Sequence, residues 1–310
     1  MNMTLEWSNC RLCPRQCGAN RAAGQTGYCK AGTAVKIFRY GPHGGEEPVI
    51  SGSRGSGTVF FSRCTMRCLY CQNYPWSQEG AGQRYDEHGL RTILKSLAAA
   101  GCHNWNLVSP TPWLPALVGA VNDVKRDGVA LPIVYNTSGF ERLETLAAIE
   151  GWANVYLTDL RYARESSADA GSGAADYVRV ARAALREMRR QTGPLKYDAQ
   201  GLAVSGVICR LLILPGLADE AIENLRWIAG EIGTDVAISV MAQYTPLYKA
   251  AALAPWNRGI TREEYETVCS EVEDLRFNEG WFQEYGEPPP DGLLGATMAP
   301  VAADEEVGSR

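Results

Sequence analysis

The feature that most restricts the fold is an alternation of short apolar, β-rich runs with amphipathic helical patterns from about residue 57 onward. This alternation predicts repeated βα units and a parallel sheet, and the continuous apolar runs suit strands that are covered on both faces. Six such units form either an incomplete barrel or an open sheet, and both architectures place reactive groups at the carboxyl ends of the strands. We expect strands at Gly57–Ser62, Asn104–Ser109, Leu131–Asn136, Asn154–Asp159, Val207–Ile213 and Val236–Met241.

Several segments between these strands carry helix signals. Asp86 is a good N-cap for one apolar stripe, and Gly101 follows it where a left-handed C-cap belongs. A second stripe covers residues 177–188, and a capping box formed by Thr261 and Glu264 precedes a third. Each stripe is predicted to face the sheet.

The 310 residues are enough for a sizeable core, and 45% hydrophobic with 21% charged residues is ordinary globular usage. We predict three parts. Residues 1–56 form a Cys-rich, metal-binding N-terminal segment, residues 57–285 form the (β/α)6 core, and residues 286–310 form a flexible tail.

Charge and hydropathy exclude several classes of partner. The net charge of −5 supplies no basic field for a polyanion, so nucleic acid is not an expected partner. The N-terminus lacks the pattern of a secretory signal, and no apolar stretch approaches the roughly 20 residues that a bilayer requires. We therefore expect a cytoplasmic protein without a membrane partner.

Ten cysteines are unusual for such a chain, and seven of them lie within the first 71 residues. In a reducing compartment, thiols are expected to bind metal or to take part in chemistry rather than to form disulfides. Cys102, Cys209 and Cys269 are scattered, which is typical of small buried side chains.

Three of the cysteines, Cys64, Cys68 and Cys71, directly follow the first predicted strand. Three thiolates on a four-iron cube leave one iron without a protein ligand, as a catalytic zinc site keeps one position open for substrate. The same spacing also fits one face of a helix, which would make them core residues. The polar neighbours Arg67 and Asn73 favour a loop and a metal site.

The C-x3-C-x2-C spacing, with Tyr70 just before the last cysteine, resembles the radical S-adenosylmethionine (SAM) superfamily. The resemblance implies a partial (β/α)6 barrel of the radical SAM type and a 4Fe-4S cluster held by the three cysteines. It also implies that the open iron binds the amino and carboxylate groups of SAM. One electron from the cluster would then cleave SAM to a 5′-deoxyadenosyl radical, which abstracts hydrogen from the substrate.

Further blocks are similar to the pyruvate formate-lyase activating enzyme-like proteins, in the branch with an N-terminal cysteine cluster. They include CRLCPRQCGANR, LVSPTP, YNTSGFE, YLTDLRYA, RLLILPG and MAQYTPLYKA. This likeness implies an oxidoreductase that receives electrons from a flavodoxin or ferredoxin and activates a separate glycyl-radical enzyme. Modification of another peptide or a small metabolite is the alternative within the same chemistry. A non-catalytic iron-sulfur electron carrier or a metal-stabilised binding module is the alternative of a different class, although a carrier gains from full ligation of its cluster.

Polar residues at the strand ends are the candidates for binding SAM. By resemblance, the backbone near Tyr70 would meet the adenine, and Asp159 and Arg161 stand in the place of the activases' Asp-x-Lys. Ser109-Pro110-Thr111-Pro112 stands where many radical SAM enzymes have a Gly-Gly-Glu stretch that holds the amino group. The full set of predicted SAM-binding residues is Tyr70, Asn73, Ser109, Thr111, Asn136, Ser138, Asp159, Arg161 and Arg210.

Two charged groups have more than one interpretation. Gly44-Gly45-Glu46 precedes the three cysteines, and its composition favours a Gly-rich turn with solvated acidic side chains. Arg210 lies inside a predicted strand and therefore needs a partner, which we expect to be a carboxylate of the site, SAM itself or Asp159.

The remaining clustered cysteines, Cys10, Cys13, Cys17 and Cys29, give a C-x2-C-x3-C-x11-C pattern. Four soft ligands in a short segment can hold either a tetrahedral zinc or a second 4Fe-4S cluster. Either metal would organise a segment that is too small to form its own core.

Overall fold

The computed structural model describes residues 5–286. Its strands are β1 (Val35–His43), β2 (Ser56–Phe61), β3 (Gln83–Tyr85), β4 (Trp105–Val108), β5 (Ile133–Thr137), β6 (Val155–Asp159), β7 (Lys196–Tyr197), β8 (Ala203–Leu212), β9 (Ala237–Met241) and β10 (Gly280–Phe282). Its α-helices are α1 (Pro48–Ser51), α2 (Tyr74–Ser77), α3 (Glu87–Ala99), α4 (Leu114–Arg126), α5 (Leu143–Ala148), α6 (Glu165–Ser172), α7 (Tyr177–Thr192), α8 (Ala218–Glu231) and α9 (Arg262–Asp274).

One sheet organises the described part of the chain. The strand order is β10-β9-β8-β6-β5-β4-β2-β1-β3, and β7 pairs with β8. The six strands predicted from the sequence are β2, β4, β5, β6, β8 and β9, and each pairs in parallel with the next. The predicted α/β fold with a partial barrel is confirmed, and the sheet stays open rather than closing on itself.

The predicted helix signals are also confirmed. The Asp86 carboxylate accepts a hydrogen bond from the Gly89 amide at the start of α3, and Thr261 with Glu264 forms the capping box of α9. The buried faces of α3, α4, α7 and α8 join the main hydrophobic core. A smaller apolar cluster lies around Ile50 of α1 and the alternating residues Val134, Val155 and Ile208 of the sheet.

Four strands were not predicted. β1 is antiparallel to both β2 and β3, and it attaches part of the N-terminal segment to the sheet of the core. Charged residues and a Gly-Pro pair interrupt its apolar alternation, so its pairing across the chain is not visible in the local pattern. β3, β7 and β10 have only two or three residues, which is too short for a period. The division at residue 56 stays a prediction, and the predicted tail lies outside the described residues except for Gly286.

None of the helices formed by residues 5–286 combines the length and the apolar character that a bilayer span requires.

Candidate active site

A cavity of about 790 Å³ opens where the carboxyl ends of the parallel strands meet. The register aligns Asp159 of β6 with Arg210 of β8 and Ser239 of β9, so these side chains share one face of the sheet. Most of the residues predicted from the sequence line this cavity: Cys64, Cys68, Tyr70, Cys71, Asn73, Ser109, Asn136, Ser138, Asp159, Arg161 and Arg210. The topology thus brings together groups that are up to 146 positions apart in the chain.

Residues 64–71, which we call the cysteine loop, are not helical. The helical interpretation of the cysteine spacing is therefore wrong. The loop is held mainly from outside, because the Leu69 amide donates to the Gly171 carbonyl at 2.9 Å and the Gln78 side chain donates to the Cys68 carbonyl at 2.6 Å. These contacts fix the direction of the three thiols at the edge of the sheet.

Polar groups surround the sulfur atoms of the loop. Arg161 Nη1 donates to Cys68 Sγ at 2.9 Å, and Cys71 Sγ lies 3.2 Å from Ser77 Oγ. Burial raises the pKa of the Cys64 thiol, and it raises the pKa of Cys71 to about 12. The Cys64 and Cys71 thiols therefore keep their protons at neutral pH until a metal displaces them. Soft sulfur ligands with hydrogen-bond donors beside them fit an iron-sulfur cluster.

Arg161 connects the thiols to a carboxylate. Its Nε and Nη2 lie 3.0 and 2.5 Å from Asp159 Oδ2 while Nη1 contacts Cys68. The planar guanidinium can therefore contact a carboxylate and a sulfur atom at the same time. The Asp159–Arg161 pair was predicted as a unit that binds SAM, and both residues line the cavity.

Tyr70 is fixed by a chain of hydroxyl groups. Its hydroxyl lies 2.6 Å from that of Tyr162, which lies 2.7 Å from Ser172 Oγ at the end of α6. The Tyr70 side chain is buried, so this chain anchors the cysteine loop in the core.

Thr111, one of the predicted SAM-binding residues, does not line the cavity. It begins a 3-10 helix after β4 and is buried, and Thr111 Oγ1 lies 3.0 Å from the Tyr135 hydroxyl and 2.6 Å from Glu141 Oε1. The turn at Ser109, whose φ is +58°, leaves Ser109 at the cavity and carries the chain away from it.

Glu141 is a buried carboxyl that the sequence did not single out. Its Oε1 accepts hydrogen bonds from Thr111 and Thr137, whereas Oε2 has no partner among the described residues. Burial raises the pKa of Glu141 from 4.5 to about 7. The folded protein therefore keeps a proton on this group at pH values where the unfolded chain has lost it.

We expect this retained proton to make stability depend on pH. Between pH 4.5 and about 7 the folded state binds more protons at Glu141, so the free energy of unfolding falls as the pH rises, by about 3 kcal/mol in total. Glu141→Gln should lack this part of the pH dependence. Urea unfolding followed by tryptophan fluorescence at pH 5 and pH 7.5 measures the difference. Equal pH dependence in both proteins would contradict the raised pKa.

Arg210, Glu46 and Glu47 form what we call the cavity floor. Arg210 Nε and Nη2 lie 2.7 and 2.6 Å from the Glu47 carboxylate, and Nη2 also contacts Glu46. Glu46 further accepts a hydrogen bond from Asn106 Nδ2 at 2.8 Å. Arg210 thus pairs with two carboxylates of the site and not with Asp159, which pairs with Arg161.

The cavity floor also corrects the interpretation of Gly44-Gly45-Glu46. Only 7% of the Glu46 side chain and 4% of the Glu47 side chain are exposed, so these acids are not solvated. Burial by itself raises the pKa of Glu47, but the charge and hydrogen bonds of Arg210 outweigh it and lower the pKa. The signal that could have found them is Arg210 itself, whose place in a strand demands a buried carboxylate.

The four N-terminal cysteines lie near one another. Burial raises the pKa of Cys29, and the neighbouring thiols of Cys10 and Cys17 raise it further. Cys13 is buried and Cys17 is exposed. In residues 5–286, no three His, Cys, Asp or Glu side chains converge as the ligands of a single metal ion. A tetrahedral zinc and a second 4Fe-4S cluster both stay predictions for these four cysteines.

Comparisons with known proteins give relatives of this fold. No family model matches the chain. An uncharacterized protein of Methanocaldococcus jannaschii is 26% identical over 283 residues, which cover 88% of this chain and 76% of that protein.

The fold is similar to that of SuiB from Streptococcus suis, solved in complex with its precursor peptide SuiA. The TM-score is 0.50 with 10% identity, and the match covers 72% of this chain and 47% of SuiB. SuiB bound to S-adenosylmethionine matches with a TM-score of 0.49 and 11% identity over 72% of this chain and 48% of SuiB. HydG, a maturase of the FeFe-hydrogenase, matches with a TM-score of 0.47 and 10% identity over 76% of this chain and 53% of HydG. The chain spans about half the length of these solved chains, and at these identities the likeness concerns the fold.

Proposed function

We propose that this protein is a radical SAM iron-sulfur enzyme. The observation that carries the proposal is the cysteine loop, which presents three thiols and no fourth cysteine to a cavity of about 790 Å³. When bound, a 4Fe-4S cluster with one open iron supplies the electron that cleaves SAM to a 5′-deoxyadenosyl radical, which abstracts hydrogen from a substrate.

Each group at the cavity has a task in this proposal. Cys64, Cys68 and Cys71 hold the cluster, and Arg161 stabilises the Cys68 thiolate through its hydrogen bond. Asn136 and Ser138 at the end of β5 offer donors and acceptors for the ribose hydroxyls or the carboxylate of SAM.

We propose more specifically that the protein is an oxidoreductase that acts on a polypeptide. The likeness of sequence blocks to glycyl-radical activating enzymes supports it, as does the fold shared with SuiB, which was solved with a precursor peptide and with SAM. Trp281 and Phe282 line the cavity from β10, which lies at one end of the strand order, and the edge of a sheet is where an extended peptide can add as a further strand. A flavodoxin or ferredoxin would supply the electron.

The electron-carrier alternative is less well supported. A carrier needs its cluster shielded and fully ligated, whereas this loop faces a cavity large enough for a ligand. The polar residues that line the cavity from five strands, β4, β5, β6, β8 and β9, would have no use in a carrier.

Anaerobic reconstitution tests the proposal. Purified protein supplied with iron and sulfide should bind about four irons at the cysteine loop, and reduction by dithionite in the presence of SAM should yield 5′-deoxyadenosine and methionine. Chromatography of the quenched reaction measures both products, with protein lacking SAM or dithionite as controls. A cluster that forms but never cleaves SAM would favour the electron-carrier alternative.

A further inference from the structure

The chain that carries the four N-terminal cysteines contacts the cysteine loop directly. We call residues 10–29 the N-terminal cysteine segment. Arg15, between Cys13 and Cys17, donates hydrogen bonds to the carbonyls of Thr65 at 3.2 Å and Met66 at 3.5 Å. Both carbonyls belong to the stretch between Cys64 and Cys68, so one side chain bridges the two sets of thiols.

The same guanidinium reaches a third element. Arg15 also donates to the Ser172 carbonyl at 3.3 Å and to the Gly173 carbonyl, at the carboxyl end of α6. A cation at this end of a helix balances the partial negative charge of its free carbonyls. The Ser172 hydroxyl is the last member of the hydrogen-bonded series Tyr70–Tyr162–Ser172. Arg15 therefore contacts the cysteine loop directly and also contacts the residue that anchors Tyr70 of this loop.

Tyr28, next to Cys29, adds a second contact. Its ring lies 4.0 Å from the guanidinium of Arg15 and 5.3 Å from that of Arg67, and its hydroxyl lies 3.5 Å from the Met66 carbonyl. Arg67 has a φ of +60°, a conformation that a non-glycine residue keeps only when its surroundings hold it. The surroundings here come largely from the N-terminal cysteine segment.

The N-terminal cysteine segment has little regular secondary structure. Between residues 5 and 34 the regular structure consists of the 3-10 helix Arg21–Ala23. On its far side, Arg142 donates to the Arg11 carbonyl at 2.6 Å and Thr145 donates to the Leu12 carbonyl at 2.9 Å, both from the start of α5. A segment with so little regular structure gains order from a bound metal, which fixes its thiols and, with them, the position of Arg15.

We propose that metal binding at Cys10, Cys13, Cys17 and Cys29 stabilises the cluster at Cys64, Cys68 and Cys71, with Arg15 as the positioning residue that transmits the effect. This inference rests on the proposed function for the identity of the cluster. The coupling is reciprocal, since two sites that share one conformation must stabilise each other equally. The N-terminal metal then has a structural role in cluster retention, whichever metal it is.

The test measures cluster retention and needs no turnover. Reduced protein is exposed to an iron chelator, and the EPR signal that is absent from Cys71→Ala is followed as it decays. Arg15→Gln and Cys10→Ser/Cys13→Ser should each speed this decay about tenfold, a value within the usual range for coupled sites. Arg11→Gln, which changes an exposed neighbour in the same segment, is the matched control and should decay at the wild-type rate.

A double-mutant cycle separates coupling from general loosening of the fold. Adding Arg15→Gln to Cys10→Ser/Cys13→Ser should change the decay rate of the EPR signal by less than about twofold, because the double cysteine variant has already lost the metal whose effect Arg15 transmits. Arg15→Lys should recover part of the retention, since an ammonium keeps the charge but not the fork of donors. Wild-type decay in Arg15→Gln, fully multiplicative effects, or an N-terminal segment that binds no metal would each overturn the coupling. Intact coupling without SAM cleavage would count against the proposed function alone.

Discussion

Replacing any one of Cys64, Cys68 and Cys71 by alanine should remove the cluster and lower SAM cleavage by about a thousandfold or more. The reason is that two thiolates cannot hold a cube whose fourth iron must stay open, so the loss is that of the whole centre and not of one contact. Iron and sulfide analysis together with 5′-deoxyadenosine formation under dithionite measure the effect. We expect the three single variants to be equally inactive, because residues that act as a unit do not contribute additively.

Cys269→Ala is the matched control for these variants. Cys269 is a half-buried free cysteine on α9, away from the cavity, and its replacement should leave iron content and SAM cleavage unchanged. If Cys68→Ala still cleaves SAM at more than a few per cent of the wild-type rate, the assignment of the cluster to the cysteine loop is wrong.

The six central strands could be predicted because the information is local. Each predicted run has six or seven residues and is rich in apolar and β-branched side chains. Burial on both faces of the sheet removes the regular polar alternation of a half-exposed strand. Strand β1 carries the opposite lesson. Lys36 and Arg39 interrupt its apolar residues, and its strand conformation is supported by antiparallel pairing with β2 and β3, which a local pattern does not reveal.

The same distinction separates the parts of the candidate site. The three cysteines lie within eight residues, so their spacing alone indicates the chemistry. The partner of Cys68 is Arg161, which is 93 positions away, and the sequence indicates Arg161 as a candidate for binding SAM at a strand end but gives no sign of its contact with Cys68. Glu46 and Glu47 were misread as solvated because α1 folds them under the strand ends, 163 or more positions from Arg210.

Arg210→Met should be among the most destabilising single substitutions in the chain. It removes the guanidinium that pairs with both buried carboxylates of the cavity floor, and breaking a buried ion pair from one side costs about 3–5 kcal/mol of unfolding free energy. The loss should be greatest at neutral pH. Toward pH 5 the unpaired Glu47 carboxyl takes up a proton, since burial without Arg210 raises the pKa of Glu47 instead of lowering it.

Urea unfolding of the wild type and Arg210→Met at pH 7.5 and pH 5 measures this difference. The control is the triple variant Glu46→Gln/Glu47→Gln/Arg210→Met, in which no charge is left unpaired, and it should recover most of the lost stability at pH 7.5. If Arg210→Met lowers the free energy of unfolding by less than about 1 kcal/mol, Arg210 does not form a buried ion pair with the carboxylates of the cavity floor. The triple variant also separates two roles of the floor, because restored stability with lost SAM cleavage would mean that these charges act on a ligand and do more than hold the strands together.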